Sequence, residues 1–141
     1  MGTPTYLEAF HATPIERVRL IKAGLPAAAV KEIWADFTPS SGIIFESLRI
    51  SRASIVTGAA RGQVLPTAPS ERILGLLALV GQVEAMARPA EGFRAPKWMA
   101  AWLTEPAPAL GGQRPAAFLD TMEGRSLLSS LLAQMQSSAY A

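Results

Sequence analysis

The sequence contains no cysteine and only one histidine, His11. Without cysteine the chain has no disulfide bond, no zinc knuckle, no iron–sulfur ligation and no thiol nucleophile. A single histidine in an N-terminal arm provides neither a histidine-based catalytic triad nor a multi-histidine metal site. These absences exclude the commonest catalytic and metal-binding sets.

Carboxylate pairs and phosphate loops give no better basis for catalysis. Glu32 and Asp36 share a predicted helix face, and Asp120 and Glu123 are close in sequence. Carboxylates of this kind are usually solvated rather than paired for acid–base chemistry. The glycines of residues 58–62 are not a phosphate loop, because no strand precedes them and no Lys-Ser or Lys-Thr pair follows. We therefore expect no enzyme activity and no cofactor.

Long hydrophobic runs are also missing. The most apolar stretch, Ile73 to Val83, is far shorter than the ~20 residues that a membrane span needs. The first ten residues lack the basic and then apolar pattern of a secretory signal, and the residues after Gly2 do not form a myristoylation site. The sequence therefore predicts a cytoplasmic protein.

Charge is sparse, with 17% charged residues and a formal net charge of +2. A balance this small does not by itself indicate a nucleic-acid-binding protein, so any such argument depends on local pattern. Hydrophobic residues make up 50% of the chain. We expect part of that apolar surface to contact a partner.

Helix boundaries can be predicted along the first half. Residues 1–12 show no sustained period and predict an arm of uncertain order. The capping-box pattern from Thr13 to Glu16, followed by Gly24, predicts a helix over residues 14–23. The stretch "LPAAAVKEIWADF" predicts the next helix, with its apolar residues on one face.

Two short helices are then predicted on either side of a tight turn, over residues 38–48 and 51–60. Ser51 is the predicted N-cap of the second helix. Ile50 and Ile55 have the spacing of a hydrophobic staple, which fixes how the chain enters that helix. This arrangement is typical of a helix-turn-helix.

A strongly apolar helix follows, predicted from an N-cap at Ser70 to about Met86, as the spine of the first core. The stretch "ARPAEG" at 87–92 interrupts the pattern with proline and glycine. The sequence therefore predicts two domains, residues 1–88 and residues 89–141.

The second half begins with Trp98 and Trp102 four apart on one helix, either as core anchors or as surface contacts for a partner. Gly111 and Gly112 predict a turn, and Pro115 opens a short helix. The last helix carries adjacent leucine pairs, which widen its apolar stripe beyond what one small helix pair covers. The fold class is all-α, with about eight short helices.

The second half carries four sequence elements in a recognisable order: a tryptophan helix, a Leu-Gly-Gly-x-x-Pro turn, a Leu-x-Thr-x-x-Gly turn and a leucine-rich helix. They are Trp98 with Trp102-Leu103, Leu110–Pro115, Leu119–Gly124 and Leu127 onward. Their order and spacing resemble the C-terminal toxin-binding domain of the Xre/MbcA/ParS antitoxins. Through "AGLPA", "RISRASI" and "SERILGLLALV", the first half is similar to the Xre-like helix-turn-helix domain of the same proteins.

The resemblance implies a bacterial antitoxin of a type II toxin–antitoxin system that binds and neutralises a RES-domain toxin, a protein that consumes NAD. It also implies repression of the antitoxin's own operon, usually as a dimer. The expected partners are the cognate toxin, operator DNA and a second copy of the chain within a hetero-oligomer. The residues predicted for toxin binding are Gly111, Gly112, Pro115, Thr121, Gly124, Leu128, Leu132 and Tyr140.

The DNA-reading candidate is the helix that Ser51 caps, because no acid intervenes from Arg49 to Arg61 and the local charge is +3. The residues predicted to contact DNA are Arg49, Ser51, Arg52, Ser54, Thr57 and Arg61. The alternative is a solvated surface helix. Related chains often carry further arginines where this chain has Val56, Gly58 and Ala59, and Gly58 costs a helix roughly 1 kcal/mol relative to alanine.

Two further alternatives stay open on the sequence. Tyr140, in the tail "SSAYA", either fills a pocket of the toxin or folds back on its own domain. The whole chain could also be a helix-turn-helix regulator whose C-terminal half only dimerises. A neighbouring RES-domain gene would favour the antitoxin.

Overall fold

The computed structural model describes residues 2–87 and 92–139. Within those ranges the chain forms eight α-helices and two 3₁₀ turns, so the predicted all-α fold is confirmed. The helices are α1 (Tyr6–His11), α2 (Pro14–Ala23), α3 (Ala27–Asp36), α4 (Ser41–Ser47), α5 (Arg52–Ala60), α6 (Thr67–Met86), α7 (Ala95–Thr104) and α8 (Met122–Ala139), and the 3₁₀ turns are Pro108–Leu110 and Pro115–Phe118. In this described part of the chain, no helix combines the length and the apolarity that crossing a membrane requires.

Helix α1 corrects the prediction that residues 1–12 form an arm of uncertain order. Thr5 and Glu8 form a capping box at its start, and Ala9 is buried. The Tyr6 hydroxyl donates a hydrogen bond to Asp36 on α3, and burial raises the pKa of that hydroxyl, as does the Asp36 carboxylate. The helix has only six residues, too few to show a period in the sequence.

Helix α2 begins and ends where the capping pattern predicts. The Thr13 hydroxyl accepts from the backbone N–H of Glu16, and the Glu16 carboxylate accepts from that of Thr13. Gly24 ends the helix with φ 82°, a left-handed value that glycine adopts without steric cost. Ile50 and Ile55, the two residues of the predicted staple, are both buried in the core.

Gly58 lets α5 pack closely on α3. A Cβ added at Gly58 would lie 2.9 Å from the Cβ of Ala27, nearer than two carbons pack without repulsion. The cost in helix propensity that the sequence predicts at Gly58 is therefore offset by a close contact between the two helices.

Helix α6 begins earlier than predicted, at Thr67 rather than after a cap at Ser70. Pro69 lies in its first turn, where a missing N–H breaks no intrahelical bond. The buried Ser70 hydroxyl has another role, since it accepts from the backbone N–H of Leu25 at 3.0 Å and donates to the carbonyl of Leu65 at 3.2 Å. It ties the start of α6 to the loops before α3 and α6.

The core surrounds α6. All its residues from Leu76 to Val83 are buried, and the helix packs against α1, α2, α7 and α8. One cluster of buried side chains runs from Ala9 to Leu132 and includes residues from both predicted domains. The division at residues 88 and 89 falls outside the described residues and stays a prediction.

Replacing Gly81 by alanine tests the contact between α1 and α6. The added Cβ would overlap the backbone carbonyl of Tyr6 and would lie 2.7 Å from the Cβ of Phe10. We expect the free energy of unfolding in urea to fall by about 1–3 kcal/mol, as in other overpacked cores.

Gly42→Ala is the matched control, because Gly42 lies in α4 with nothing within 4 Å of an added Cβ. It should be neutral or stabilising by up to about 1 kcal/mol. Equal stability of the two alanine variants would contradict the packing of α1 described above.

Candidate functional site

The Leu-Gly-Gly-x-x-Pro element reverses the chain after α7. Gly111 and Gly112 have φ values of 66° and 83°, and an added Cβ would meet nothing within 4 Å at either position. Ala107 closes the turn, because its carbonyl accepts from Gly112 and its N–H donates to Gln113, both at 3.0 Å. The two glycines are therefore required by the backbone conformation of the predicted turn rather than by crowding.

The Leu-x-Thr-x-x-Gly element starts α8. The Thr121 hydroxyl accepts from the N–H of Gly124 at 2.9 Å, which satisfies one of the free donors of the first helical turn. A Cβ at Gly124 would overlap the carbonyl of Phe118. The threonine caps α8, and the glycine allows α8 to lie against the second 3₁₀ turn.

The residues predicted for toxin binding do not form one exposed patch. Those that are exposed are Gly111, Gly112 and Thr121, whereas Pro115, Gly124, Leu128 and Leu132 are buried. Tyr140 lies outside the described residues. The buried members shape the second half, and a direct contact of any member with a toxin stays a prediction.

Helix α8 presents an apolar face to solvent, which we call the α8 stripe: Leu127, Leu131 and Met135. Leu127 and Met135 are each 42% exposed, and Leu131 is half-buried. Their spacing of four places them on one side of the helix, while the neighbouring Leu128 and Leu132 are fully buried. The adjacent leucine pairs thus leave an uncovered apolar face, as the sequence predicts.

The tryptophans lie between core and surface. Trp98 and Trp102 stack with ring centroids 6.0 Å apart, and both are half-buried, whereas Met99 and Leu103 of the same helix fill the core. Trp98 also lines a groove of about 230 Å³ between the C-terminal ends of α6 and α8. The other lining residues are Val83, Met86, Ala87, Phe93, Leu132, Met135 and Gln136. This apolar groove adjoins the α8 stripe at Met135.

Polar contacts fix α8 on α6, and the sequence alone does not indicate them. The Gln82 amide donates to the carbonyl of Ser129 at 2.9 Å and accepts from its hydroxyl at 2.8 Å. The Arg125 guanidinium donates to the carbonyl of Leu119 at 2.8 Å. It lies directly against Gly75, where a Cβ would overlap it. Burial lowers the pKa of Arg125.

The predicted DNA-contacting residues are all exposed on or beside α5. The Ser51 hydroxyl caps the helix by accepting from the N–H of Ser54 at 3.1 Å, and the two serine hydroxyls lie 2.7 Å apart. The Arg52 guanidinium lies 5.8 Å from the centre of the Trp34 ring. Thr57 and Arg61 lie further along, near the end of the helix.

Arg49 links this region to the second half. Its Nε lies 3.0 Å from Oδ2 of Asp120, and this hydrogen bond lowers the pKa of the Asp120 carboxyl. Arg49 also has φ 58°, a left-handed value that usually requires glycine. Sequence reasoning identifies Arg49 as a cation near α5 but gives no signal for its partner.

Within residues 2–87 and 92–139, no group of three or more His, Asp or Glu side chains is placed so that it could hold a metal ion. Of the predicted carboxylate neighbours, Asp36 accepts from Tyr6 and Asp120 from Arg49. Both have structural partners.

Thr121→Ala tests the capping role of the second turn. The loss of its acceptor should reduce the free energy of unfolding by about 1 kcal/mol, the usual cost of an N-cap. Thr121→Ser keeps a hydroxyl at the same place and should retain nearly all of that stability. The measurement is urea unfolding of both variants. Equal free energies of unfolding for the alanine and serine variants would contradict the cap.

The comparisons with known proteins agree with this arrangement. Residues 78–137 match the family described as the antitoxin Xre/MbcA/ParS C-terminal toxin-binding domain, a range that includes α7, both 3₁₀ turns and most of α8. The chain is also 42% identical, over 145 residues, to the Prs ADP-ribosylating antitoxin of Sphingobium sp. (strain YBL2), a match covering 99% of this chain and 91% of that relative. The chain therefore belongs to the Xre/MbcA/ParS family of antitoxins, which are neutralising proteins and not enzymes.

Proposed function

We propose that this antitoxin neutralises a RES-domain toxin that consumes NAD, by binding the toxin directly through its C-terminal half. The observation that carries the proposal is the α8 stripe. It is an apolar face of the toxin-binding domain that the described residues leave uncovered.

The α8 stripe and the neighbouring groove have the composition of a protein-binding surface. Such surfaces are enriched in aromatic residues and methionine and depleted in charge at their centre. Here Trp98, Phe93 and Met135 adjoin one another around the groove. A few residues carry most of the binding energy of a protein interface, and tryptophan is among the residue types enriched there. Tyr140, outside the described residues, is proposed to extend this surface, because a tyrosine ring can enter a cleft shaped for NAD.

The chemistry of the toxin is inferred from the relative. The name of the Sphingobium protein joins an antitoxin to ADP-ribosylation, and transfer of ADP-ribose uses NAD as its donor. This supports a toxin that consumes NAD, whether the ADP-ribose passes to water or to a protein.

We also propose that α5 reads operator DNA as the second helix of a helix-turn-helix, with α4 as the first. Four residues separate the two helices, and the exposed arginines beside and on α5 have no acid between them in sequence. An antitoxin dimer within the toxin complex would present two such helices to a palindromic site. The weak net charge of the chain means that binding depends on these few arginines.

Binding to the proposed cognate RES-domain toxin tests the toxin-binding proposal. Replacing Leu127 and Met135 together by glutamate puts two charges on the α8 stripe, and we expect the dissociation constant for the toxin to rise at least about tenfold, which is roughly 1.4 kcal/mol. The measurement is calorimetric titration of the toxin, with circular dichroism to verify the fold.

Ile15→Glu with Val18→Glu is the matched control, because both residues are exposed apolar positions on α2. That variant should bind the toxin like the wild type. Unchanged affinity in the Leu127 and Met135 variant, or equal losses in both, would place the toxin elsewhere.

Replacing Arg49, Arg52 and Arg61 together by alanine tests the DNA-binding proposal. We expect weaker binding to the DNA upstream of the gene and a smaller salt dependence, with the log–log slope falling by up to about 3 if each arginine neutralises one phosphate. Toxin binding should not change. Removal of Arg19, Lys22 and Arg94, three exposed cations elsewhere, is the control with the same loss of charge. Equal slopes for the two variants would refute α5 as the reading helix.

A further inference from the structure

The contact between Arg49 and Asp120 joins the two surfaces of the proposed function. Arg49 lies two residues before Ser51, the N-cap of α5. Asp120 lies in the Leu-x-Thr-x-x-Gly turn of the toxin-binding domain, 71 residues later. A residue of the second half thus holds an arginine at the entrance to the proposed DNA-reading helix.

The backbone at Arg49 is that of a helix C-terminus where glycine is the usual residue. The N–H of Arg49 donates to Glu46 at 2.9 Å and that of Ile50 donates to Phe45 at 3.0 Å, the paired bonds of a Schellman motif. With φ 58°, an arginine is here in a conformation that side chains disfavour. Residues held in such conformations are found preferentially at functional sites.

The side chain of Arg49 is held at one edge only. Its Nε contacts Asp120, and among the described residues its two terminal nitrogens have no hydrogen-bond partner. The side chain is 76% exposed, whereas that of Asp120 is 22% exposed. The carboxylate is therefore the more firmly placed member, and the terminal nitrogens remain available to another anion.

Neighbouring bonds fix both ends of the contact. Nε of Arg72 on α6 donates to the carbonyl of Leu48 at 2.7 Å, next to Arg49. Arg125 donates to the carbonyl of Leu119, next to Asp120. The end of α4 is thus attached to a side chain of α6, and the start of the Leu-x-Thr-x-x-Gly turn to a side chain of α8. The packing of α6 and α8 therefore sets the distance between Arg49 and Asp120.

We infer that Asp120 is a positioning residue for DNA binding: it holds the Arg49 guanidinium by Nε, so that the terminal nitrogens face a backbone phosphate at the start of α5. The inference rests on the proposed DNA binding. It adds that the DNA-reading surface is completed by a residue of the toxin-binding domain. An arginine ordered before binding loses less conformational freedom when it contacts the phosphate.

The direction in which DNA affinity changes when Asp120 is removed separates positioning from simple electrostatics. Asp120 is negative and close to the proposed DNA surface, so its charge alone would repel DNA, and its removal would tighten binding. Positioning predicts the opposite for Asp120→Ala, which loses the acceptor for Nε. Asp120→Asn keeps an oxygen at the same place without the charge.

The experiment measures fluorescence anisotropy of the full chain with a labelled duplex from upstream of its gene. We expect Asp120→Ala to weaken binding about three- to tenfold, corresponding to the ordering of one long side chain, and Asp120→Asn to restore wild-type affinity or better. In an Arg49→Ala background, Asp120→Ala should no longer weaken binding. Glu123→Ala, which removes a neighbouring exposed carboxylate, is the control and should not weaken binding in either background.

Tighter or unchanged binding by Asp120→Ala, or the same loss with and without Arg49, would overturn the inference while leaving DNA binding by α5 intact. A wild-type chain that binds no DNA would overturn both. Unfolding free energies of the variants provide the last check, because an exposed ion pair contributes little to stability and all variants should remain close to the wild type.

Discussion

The burial of α6 on all sides over residues 76–83 is the constraint on which the rest of the structure depends. A helix that is apolar around its whole circumference cannot face water and has to be covered by other elements. Here α1 and α2 cover it from the first half and α7 and α8 from the second. Both halves thus contribute helices to the core around α6, whereas the proposed DNA-reading helix α5 packs on α3.

Glycines determine how closely the covering helices approach. Helix α1 lies against Gly81, the Arg125 side chain of α8 lies against Gly75, and the second 3₁₀ turn lies against Gly124. Because α8 lies so close to α6, its inner leucines are fully buried and the outer members of each leucine pair remain facing solvent. The proposed toxin-binding face is thus a consequence of how the core is packed, not a separate addition to it.

The sequence predicts those parts of the fold that have local causes. The capping box at Thr13, the N-cap at Ser51 and the turn at Gly111 and Gly112 depend on residues a few positions apart, and the structure contains all of them. Helix α1 is too short to show a period. Ser70 stands before an apolar run, as an N-cap would, but its bonds to Leu25 and Leu65 depend on tertiary packing that the sequence does not show. A single sequence likewise cannot pair Arg49 with Asp120. The family motifs identify the second half, but their buried members mark how it folds rather than what it touches.

The proposed function is inhibition of an NAD-consuming toxin by direct binding to the C-terminal half of the antitoxin. Its most direct test is the rate of NAD loss in a reaction containing the purified toxin encoded beside this gene, measured as the full-length antitoxin is titrated in. Direct binding predicts that the rate falls in proportion to added antitoxin and reaches its minimum at a fixed molar ratio, because tight binding inhibits stoichiometrically. A rate of NAD loss that is unchanged by excess antitoxin would contradict it.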